Sequence, residues 1–226
     1  SLVLDDLGIY YDPTRPSRLE ELIRIRRLLR PDQKERVERM IEKLNETALS
    51  KYNVGASALE NLPKGHRMLV VGQVEDDASI LTGTKTISTN LQLLSAARAA
   101  NPDAVILYKP HPDVEAGLRQ GRIEQVDLDA ACDGVLSGID PIAAITAVDE
   151  IWTMTSLLGF EALLRGKPVA CHGAPFYAGW GLTTDLGAIP ARRSTKVTLN
   201  SLVHATLIDY PRYFDPITNA PCPPEV

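Results

Sequence analysis

The chain has 226 residues, 44% hydrophobic and 23% charged, enough for one full α/β core with the make-up of an ordinary soluble globular protein. Its formal net charge of -5 argues against nucleic acid as the main partner, since phosphate backbones are held by basic surfaces, while a small phosphate-bearing molecule needs only a few local donors. Three cysteines without CxxC spacing argue against a disulfide framework or zinc site, and no apolar run approaches the roughly 18–20 residues that cross a bilayer.

Opening directly on the apolar run Ser1-Leu2-Val3-Leu4, the sequence shows no signal peptide and is expected to be a fragment of a longer chain. Residues 1–16 read as a short strand or turn punctuated by Gly8 and Asp12-Pro13. Ser17 is placed to cap a helix over Arg18–Leu29, with Glu20 completing the capping-box pattern. Pro31 interrupts it. A second helix is expected over Asp32–Leu49, its mixed charges from Lys34 to Lys43 forming a solvated face. The organisation read from this is a strand and helical lead-in at 1–60 and a Rossmann-like domain at 61–226.

Met68-Leu69-Val70-Val71 is a continuous apolar run, as expected of a strand buried on both faces. A loop holding Gln73–Ser79 leads to a helix over Asn90–Ala100, then a strand over Ala104–Tyr108. Weaker signals place a strand near Gly134–Leu136, a helix near Ile142–Thr146 and a strand at Glu150–Trp152. Thr155-Ser156 opens a helix over Leu157–Leu164 with Gly166 as its stop. Lys167–Cys171 is the next strand, followed by a glycine- and aromatic-rich loop through Leu182. A last helix over Leu199–Ile208 precedes a proline-rich end that reads as a tail. Alternating strands and helices imply a parallel sheet with right-handed crossovers, whose ligands sit beyond the carboxyl ends of the strands. The unusual segments fall at those ends.

In Lys109-Pro110-His111-Pro112 the prolines stiffen the loop that presents His111, which can donate to a phosphate oxygen beside the charge of Lys109. The competing reading is a turn whose histidine satisfies a backbone carbonyl. Thr155 and Ser156 either cap their helix or hold an anion at its positive end, and the roles are compatible. Glu75, Asp76 and Asp77 stand beside Gln73 and Ser79; either this is a solvated loop, or one carboxylate is a nucleophile or base at a sugar anomeric centre. In the loop Gly173–Leu182, Tyr177 and Trp180 pack either on a base or sugar or in the core, and Gly179 permits close backbone approach. Glu161 either binds ribose hydroxyls or lies on the surface.

Together these segments resemble the capsule polysaccharide biosynthesis family of β-Kdo transferases, the KpsC-type enzymes. The resemblance rests on Gly8–Asp12, Leu49–Asn53, Gly72–Ile80, Tyr108–Val114, Thr155–Gly166, Pro175–Thr183 and Tyr210–Tyr213, and spans essentially the whole chain. It implies the nucleotide-binding half of a GT-B glycosyltransferase, as the carboxyl-terminal module of a two-module enzyme. His111-Pro112 and Thr155-Ser156 are similar to the paired motifs that bind CMP in bacterial sialyltransferases. The donor site implied comprises Lys109, His111, Pro112, Thr155, Ser156, Gly159, Glu161, Tyr177, Gly179 and Trp180. Asp77 is implied as the nucleophile, with Glu75 and Gln73 completing the catalytic set. The implied reaction transfers Kdo with retention from CMP-β-Kdo to an oligo-Kdo glycolipid linker. No cofactor is expected, and no metal, because acid clusters that bind metal usually serve diphosphate donors. The implied partners are the CMP-sugar donor, a lipid-linked Kdo acceptor and the rest of the parent enzyme, in the cytoplasm with peripheral contact at the inner membrane. Family modules carry an acidic segment ahead of the stretch matching Ser1, so the fragment alone is expected to be inactive. The alternatives are another GT-B enzyme, sialyltransferase-like or sugar-nucleotide epimerase-like, and a non-catalytic nucleotide-sugar-binding domain.

Overall fold

The computed structural model describes residues 1–47 and 62–225. The Leu49–Asn53 motif and the boundary between residues 60 and 61 lie outside the described residues. After β1 (Leu2–Val3), the capping box forms as read: the Glu20 N–H donates to Ser17 Oγ at 3.3 Å and the Ser17 N–H donates to Glu20 Oε2 at 3.4 Å. It starts α1 (Arg18–Ile25), which stops short of Leu29 where Arg26 turns away to bind Asp209. Pro31 opens α2 (Pro31–Glu46) at its first turn, a position where the missing N–H costs nothing.

The central layer contains β2 (Arg67–Val71), β3 (Val105–Lys109), β4 (Gly134–Val135), β5 (Glu150–Thr153), β6 (Val169–Cys171) and β7 (Thr184–Asp185). They form one six-stranded sheet in the order β4-β3-β2-β5-β6-β7, with every neighbouring pair parallel. Period-two alternation divides the core. Leu69, Val71, Leu107 and Ile151 face one apolar cluster, while Met68, Val70, Ile106 and Trp152 face the other. The first cluster also takes in Leu19, Ile23 and Val37, so the amino-terminal helices share a core with the sheet.

Between the strands lie α3 (Ala78–Gly83), α4 (Asn90–Ala100), α5 (Pro112–Glu115), α6 (Gln125–Ala131), α7 (Pro141–Thr146) and α8 (Leu157–Leu164). Helices α4 and α8 have the predicted bounds, and Gly166 follows α8 with φ +69. Helices α3, α5 and α6 and strand β7 have no counterpart in the sequence expectation. Helix α9 (Leu199–Val203) continues into a π-helical turn, His204–Asp209, where Asp209 accepts bonds from His204 and Arg26.

The proline-rich end is not a tail through residue 222. Strands β8 (Pro211–Asp215) and β9 (Ala220–Cys222) form an antiparallel hairpin, and β8 also pairs with β1. Asn219, at φ 53, supplies the left-handed residue before the return strand. Arg36 then clasps Glu225 at 2.6 Å. No helix among the described residues is long and apolar enough to cross a membrane.

Candidate active site

Chain order puts the topological switch point between β2 and β5, because β3 and β4 are added on one side of β2 and β5 through β7 on the other. In open parallel sheets such a crevice is where ligands bind. A cleft of about 530 Å³ lies there, built from the segments after β2, β3 and β5 and flanked by Tyr10, Tyr11 and Phe176.

From β2, Gln73 crosses the switch point. Its buried amide donates from Nε2 to Thr155 Oγ1 at 2.9 Å, while its Oε1 accepts from the Thr155 N–H at 2.8 Å and from Thr153 Oγ1 at 3.3 Å. Asn90, wholly buried, fixes the backbone of Gln73 from both sides and also binds the carbonyl of Gly121. With its amide engaged in this way, Gln73 ties the loop after β2 to the turn after β5. Glu75 does not line the cleft: its Oε1 accepts from the Asn90 N–H at 2.7 Å, at the start of α4. Asp76 pairs with Arg119 at 2.8 Å. Asp77 does line the cleft, as the N-cap of α3, with Oδ1 accepting from the Ser79 N–H at 2.9 Å and the Ser79 hydroxyl at 2.7 Å.

From β3, Lys109 reaches the cleft wall with its Nζ donating to the Ile139 carbonyl at 2.5 Å. Burial pushes the pKa of this amine down, against the opposing pull of Glu115 and Asp140. His111 lines the same wall as N-cap of α5, and its Nδ1 accepts from the Asp113 N–H at 3.2 Å. It thus serves a backbone N–H rather than the carbonyl of the competing sequence reading. That bond places the proton of the neutral ring on Nε2. Pro112 occupies the first turn of α5 and lines the cleft beside it.

From β5, Ser156 caps α8, accepting from the Leu158 N–H at 3.2 Å, and its own N–H is held by Thr153 Oγ1 at 3.1 Å. Thr155 donates its hydroxyl to Ser79 at 3.1 Å. The positive end of α8, the imidazole of His111 and the ammonium of Lys109 therefore border one cleft with the Asp77 carboxylate. Chemically, such an arrangement can hold an anion beside a carboxylate. Among the described residues, no three His, Cys, Asp or Glu side chains are grouped to hold a metal ion.

The sequence profile described as "Capsule polysaccharide biosynthesis protein" matches residues 1–213. The chain belongs to the capsule polysaccharide biosynthesis family. It is 48% identical over 222 residues to the capsule polysaccharide modification protein LipA of Neisseria meningitidis, covering 97% of this chain and 31% of that protein. The lipopolysaccharide-processing protein LpsZ of Rhizobium meliloti is 45% identical over 217 residues, which are 94% of this chain and 49% of LpsZ. The chain thus spans 31% to 49% of the length of these relatives. Two solved structures from Thermosulfurimonas dismutans KpsC are similar throughout. The β-Kdo 2,7 transferase shares 40% identity at a TM-score of 0.84, covering 99% of this chain and 69% of that one. The β-Kdo 2,4 transferase shares 35% identity at 0.86, covering 98% and 69%. With this likeness, the six-stranded parallel sheet and its helices are the Rossmann-like part of a GT-B fold.

In this capsule-family chain five of the expected donor-site residues lie away from the cleft lining. Tyr177 and Trp180 are buried in the core, with Tyr177 donating to the Ser156 carbonyl at 2.5 Å and Trp180 Nε1 to the Phe176 carbonyl at 2.8 Å. Gly159 packs against Tyr177: a methyl group there would lie 2.2 Å from the phenol oxygen. Gly179, at φ +90, supports the loop fold, and its N–H binds Asp185. Tyr177 and Gly159 thus shape the Ser156 turn from behind. Glu161 faces a second, largely apolar cavity of about 410 Å³ with Phe160, Tyr210 and Tyr213. The aromatic side of the candidate cleft is instead Tyr10, Tyr11 and Phe176. Sequence reasoning also passed over Asn90, Thr153 and Arg119. Asn90 carried a signal only as a helix start, and Arg119 none beyond its charge.

Proposed function

We propose that the chain is the donor-binding lobe of a retaining transferase that takes Kdo from CMP-β-Kdo and adds it to a glycolipid acceptor during capsule assembly. The supporting observation is the convergence of three strand ends on one cleft, with Asp77 on one wall and Lys109, His111 and the α8 terminus around it. The likeness to Kdo transferases supports Kdo as the sugar.

In the first step an Asp77 carboxylate oxygen attacks the anomeric carbon, and the bond from that carbon to the phosphate oxygen breaks. CMP leaves with the electron pair. The charge gathering on its phosphate meets the Nε2 proton of His111, the Lys109 ammonium and the helix end. In the second step an acceptor hydroxyl displaces the carboxylate, its proton passing to a general base from the facing lobe. Two inversions give retention. A donor with a single phosphate needs no metal in this scheme. The acceptor is a lipid-linked Kdo chain, met at the cytoplasmic side of the inner membrane.

Calorimetric titration with CMP, with UDP and the His111→Ala variant as controls, tests the site. The expected result is CMP binding that UDP does not reproduce and that the variant loses. Equal binding of UDP, or CMP binding indifferent to His111, would sink the assignment. Transfer by the full-length protein that survives Asp77→Asn would sink the nucleophile.

A further inference from the structure

We propose that Arg119 is the subsite for the carboxylate of the transferred sugar, and that it makes the cleft selective for 2-keto sugar acids over neutral sugars. The inference rests on the CMP-sugar reading above. Such a donor carries a second anion besides its phosphate. That carboxylate is bonded directly to the anomeric carbon, so it must lie beside the nucleophile when Asp77 attacks.

Among the lysine and arginine side chains described, Lys109 and Arg119 line the cleft. The Lys109 amine is buried and bound to Ile139 on the β3 wall. Arg119 lies beside the Asp76–Asp77 segment. Its guanidinium pairs through Nη2 with Asp76, the residue preceding Asp77, at 2.8 Å. An exposed ion pair of this kind contributes little binding energy of its own; its effect here is to aim the side chain. One of five donors is used, and a planar fork suited to bidentate carboxylate recognition remains.

The backbone around Arg119 is locked to the same place. The N–H groups of Leu118 and Arg119 both donate to the Asp113 carbonyl, at 2.8 and 3.2 Å, folding the loop onto α5. The Gln120 carbonyl accepts from the Glu75 N–H at 3.2 Å, and the Gly121 carbonyl from Asn90 Nδ2 at 2.8 Å. Gly121 has φ +128, and a methyl group there would meet the Gln73 carbonyl at 2.8 Å, so the two loops touch at backbone distance. Arg119 is therefore carried by the same framework that carries Asp77.

The test uses the full-length protein carrying this sequence, with CMP-Kdo, an analogue whose sugar carboxylate is a carboxamide, and CMP as inhibitor. The wild type is expected to prefer the acid, and Arg119→Ala to lose roughly 10–100-fold in kcat/KM for the acid, the range of a charge-assisted hydrogen bond. The same variant should treat acid and amide alike, and CMP should inhibit it as it inhibits the wild type. Arg119→Lys, which keeps the charge without the fork, should fall between. Undiminished discrimination of acid from amide by Arg119→Ala overturns the subsite. Failure of CMP to inhibit the wild type overturns the donor reading itself, and with it this inference.

Discussion

The Ser79 hydroxyl donates to Asp77 Oδ1 at 2.7 Å, and the direction of that bond is set from the far side of the cleft. Gln73 Nε2 donates to Thr155, Thr155 donates to Ser79, and Ser79 has its hydrogen left for Asp77. Each hydroxyl owns one hydrogen, so the amide orders the chain. The Ser79 N–H adds a second bond to the same carboxylate oxygen. The carboxylate is thus oriented before donor arrives, as the proposed nucleophile requires. Ser79→Ala is expected to lower kcat by about 10–100-fold, the range for a hydrogen bond to a charged group, with a much smaller change in KM for donor. Gln73→Glu should show the same split, because it removes the donor that orders the chain. Steady-state kinetics on the full-length protein check both, and a loss confined to KM would contradict the orientation argument.

In the proposed donor site, Lys109 is expected to set an alkaline limit on donor binding. Its amine titrates below the ordinary lysine value of 10.5 because burial disfavours the charged form. In that proposal the cation is what attracts the phosphate. Affinity is therefore full below the lowered pKa and declines as pH rises through it, earlier than for an exposed lysine. A bound phosphate favours the ammonium, so the limb in kcat should lie at higher pH than the limb in kcat/KM. For folding the sign is opposite. The unfolded chain keeps this proton to higher pH than the folded one, so stability gains from this group as pH rises between the two pKa values. Calorimetric titration of CMP across alkaline pH, with Lys109→Met lacking the limb, checks the binding half.

Much of this arrangement was legible in the sequence, and what was not has physical causes. Strands β2 and β3 announced themselves because residues such as Met68–Val71 are buried on both faces and leave an unbroken apolar run, whereas β5, with Glu150 and Thr153 at its ends, gave a weaker signal. Helix α8 was bounded by Ser156 and Gly166, whose chemistry at helix ends is local. Helices α3 and α5, with six and four residues, are too short to show a 3.6-residue period. The hairpin β8–β9 was hidden by Pro211 and Pro221, which read as breakers away from their strand partners. The placement of Tyr177 and Trp180 was open because a ring in a glycine-rich loop has the same local signature facing cleft or core. Arg119 was missed because its partner, Asp76, lies in another loop, and only the fold brings the two together.

Gly159 and Tyr177 should behave as a packing pair rather than as ligand contacts. Gly159→Ala places a methyl group 2.2 Å from the phenol oxygen and 2.8 Å from the ring carbon that bears it. Overpacking of this kind costs about 1–3 kcal/mol. Tyr177→Phe alone removes the donor to the Ser156 carbonyl. The double variant relieves the collision with the oxygen, so its loss should be smaller than the sum of the two single losses. Chemical denaturation of the four proteins measures the coupling. Strict additivity would mean that the backbone around Ser156 shifts freely and does not depend on this contact.

Glu20 joins the first helix to the loop that backs the cleft, and it is the ion pair whose loss should matter most for stability. Its carboxylate accepts from Arg193 Nε at 2.7 Å and from Arg192 Nε at 2.6 Å, and it also completes the capping box with Ser17. Arg193 in turn donates to the carbonyls of Ala174, Pro175 and Ala178, which fold the segment holding Phe176 against the cleft. Both side chains of the Glu20–Arg193 pair are nearly inaccessible, at 8% and 2%. Breaking such a pair from one side strands a buried charge at a cost of about 3–5 kcal/mol. Glu20→Ala is expected to fall in that range, well beyond the ~1 kcal/mol of an exposed pair such as Arg39–Glu35. Since Phe176 lines the cleft, CMP binding should weaken in the same variant even at temperatures where it remains folded. Denaturant unfolding and CMP titration of Glu20→Ala, compared with Glu35→Ala, separate the two effects. An unfolding midpoint no lower than that of Glu35→Ala would show that the guanidinium of Arg193 is satisfied by its three carbonyls alone.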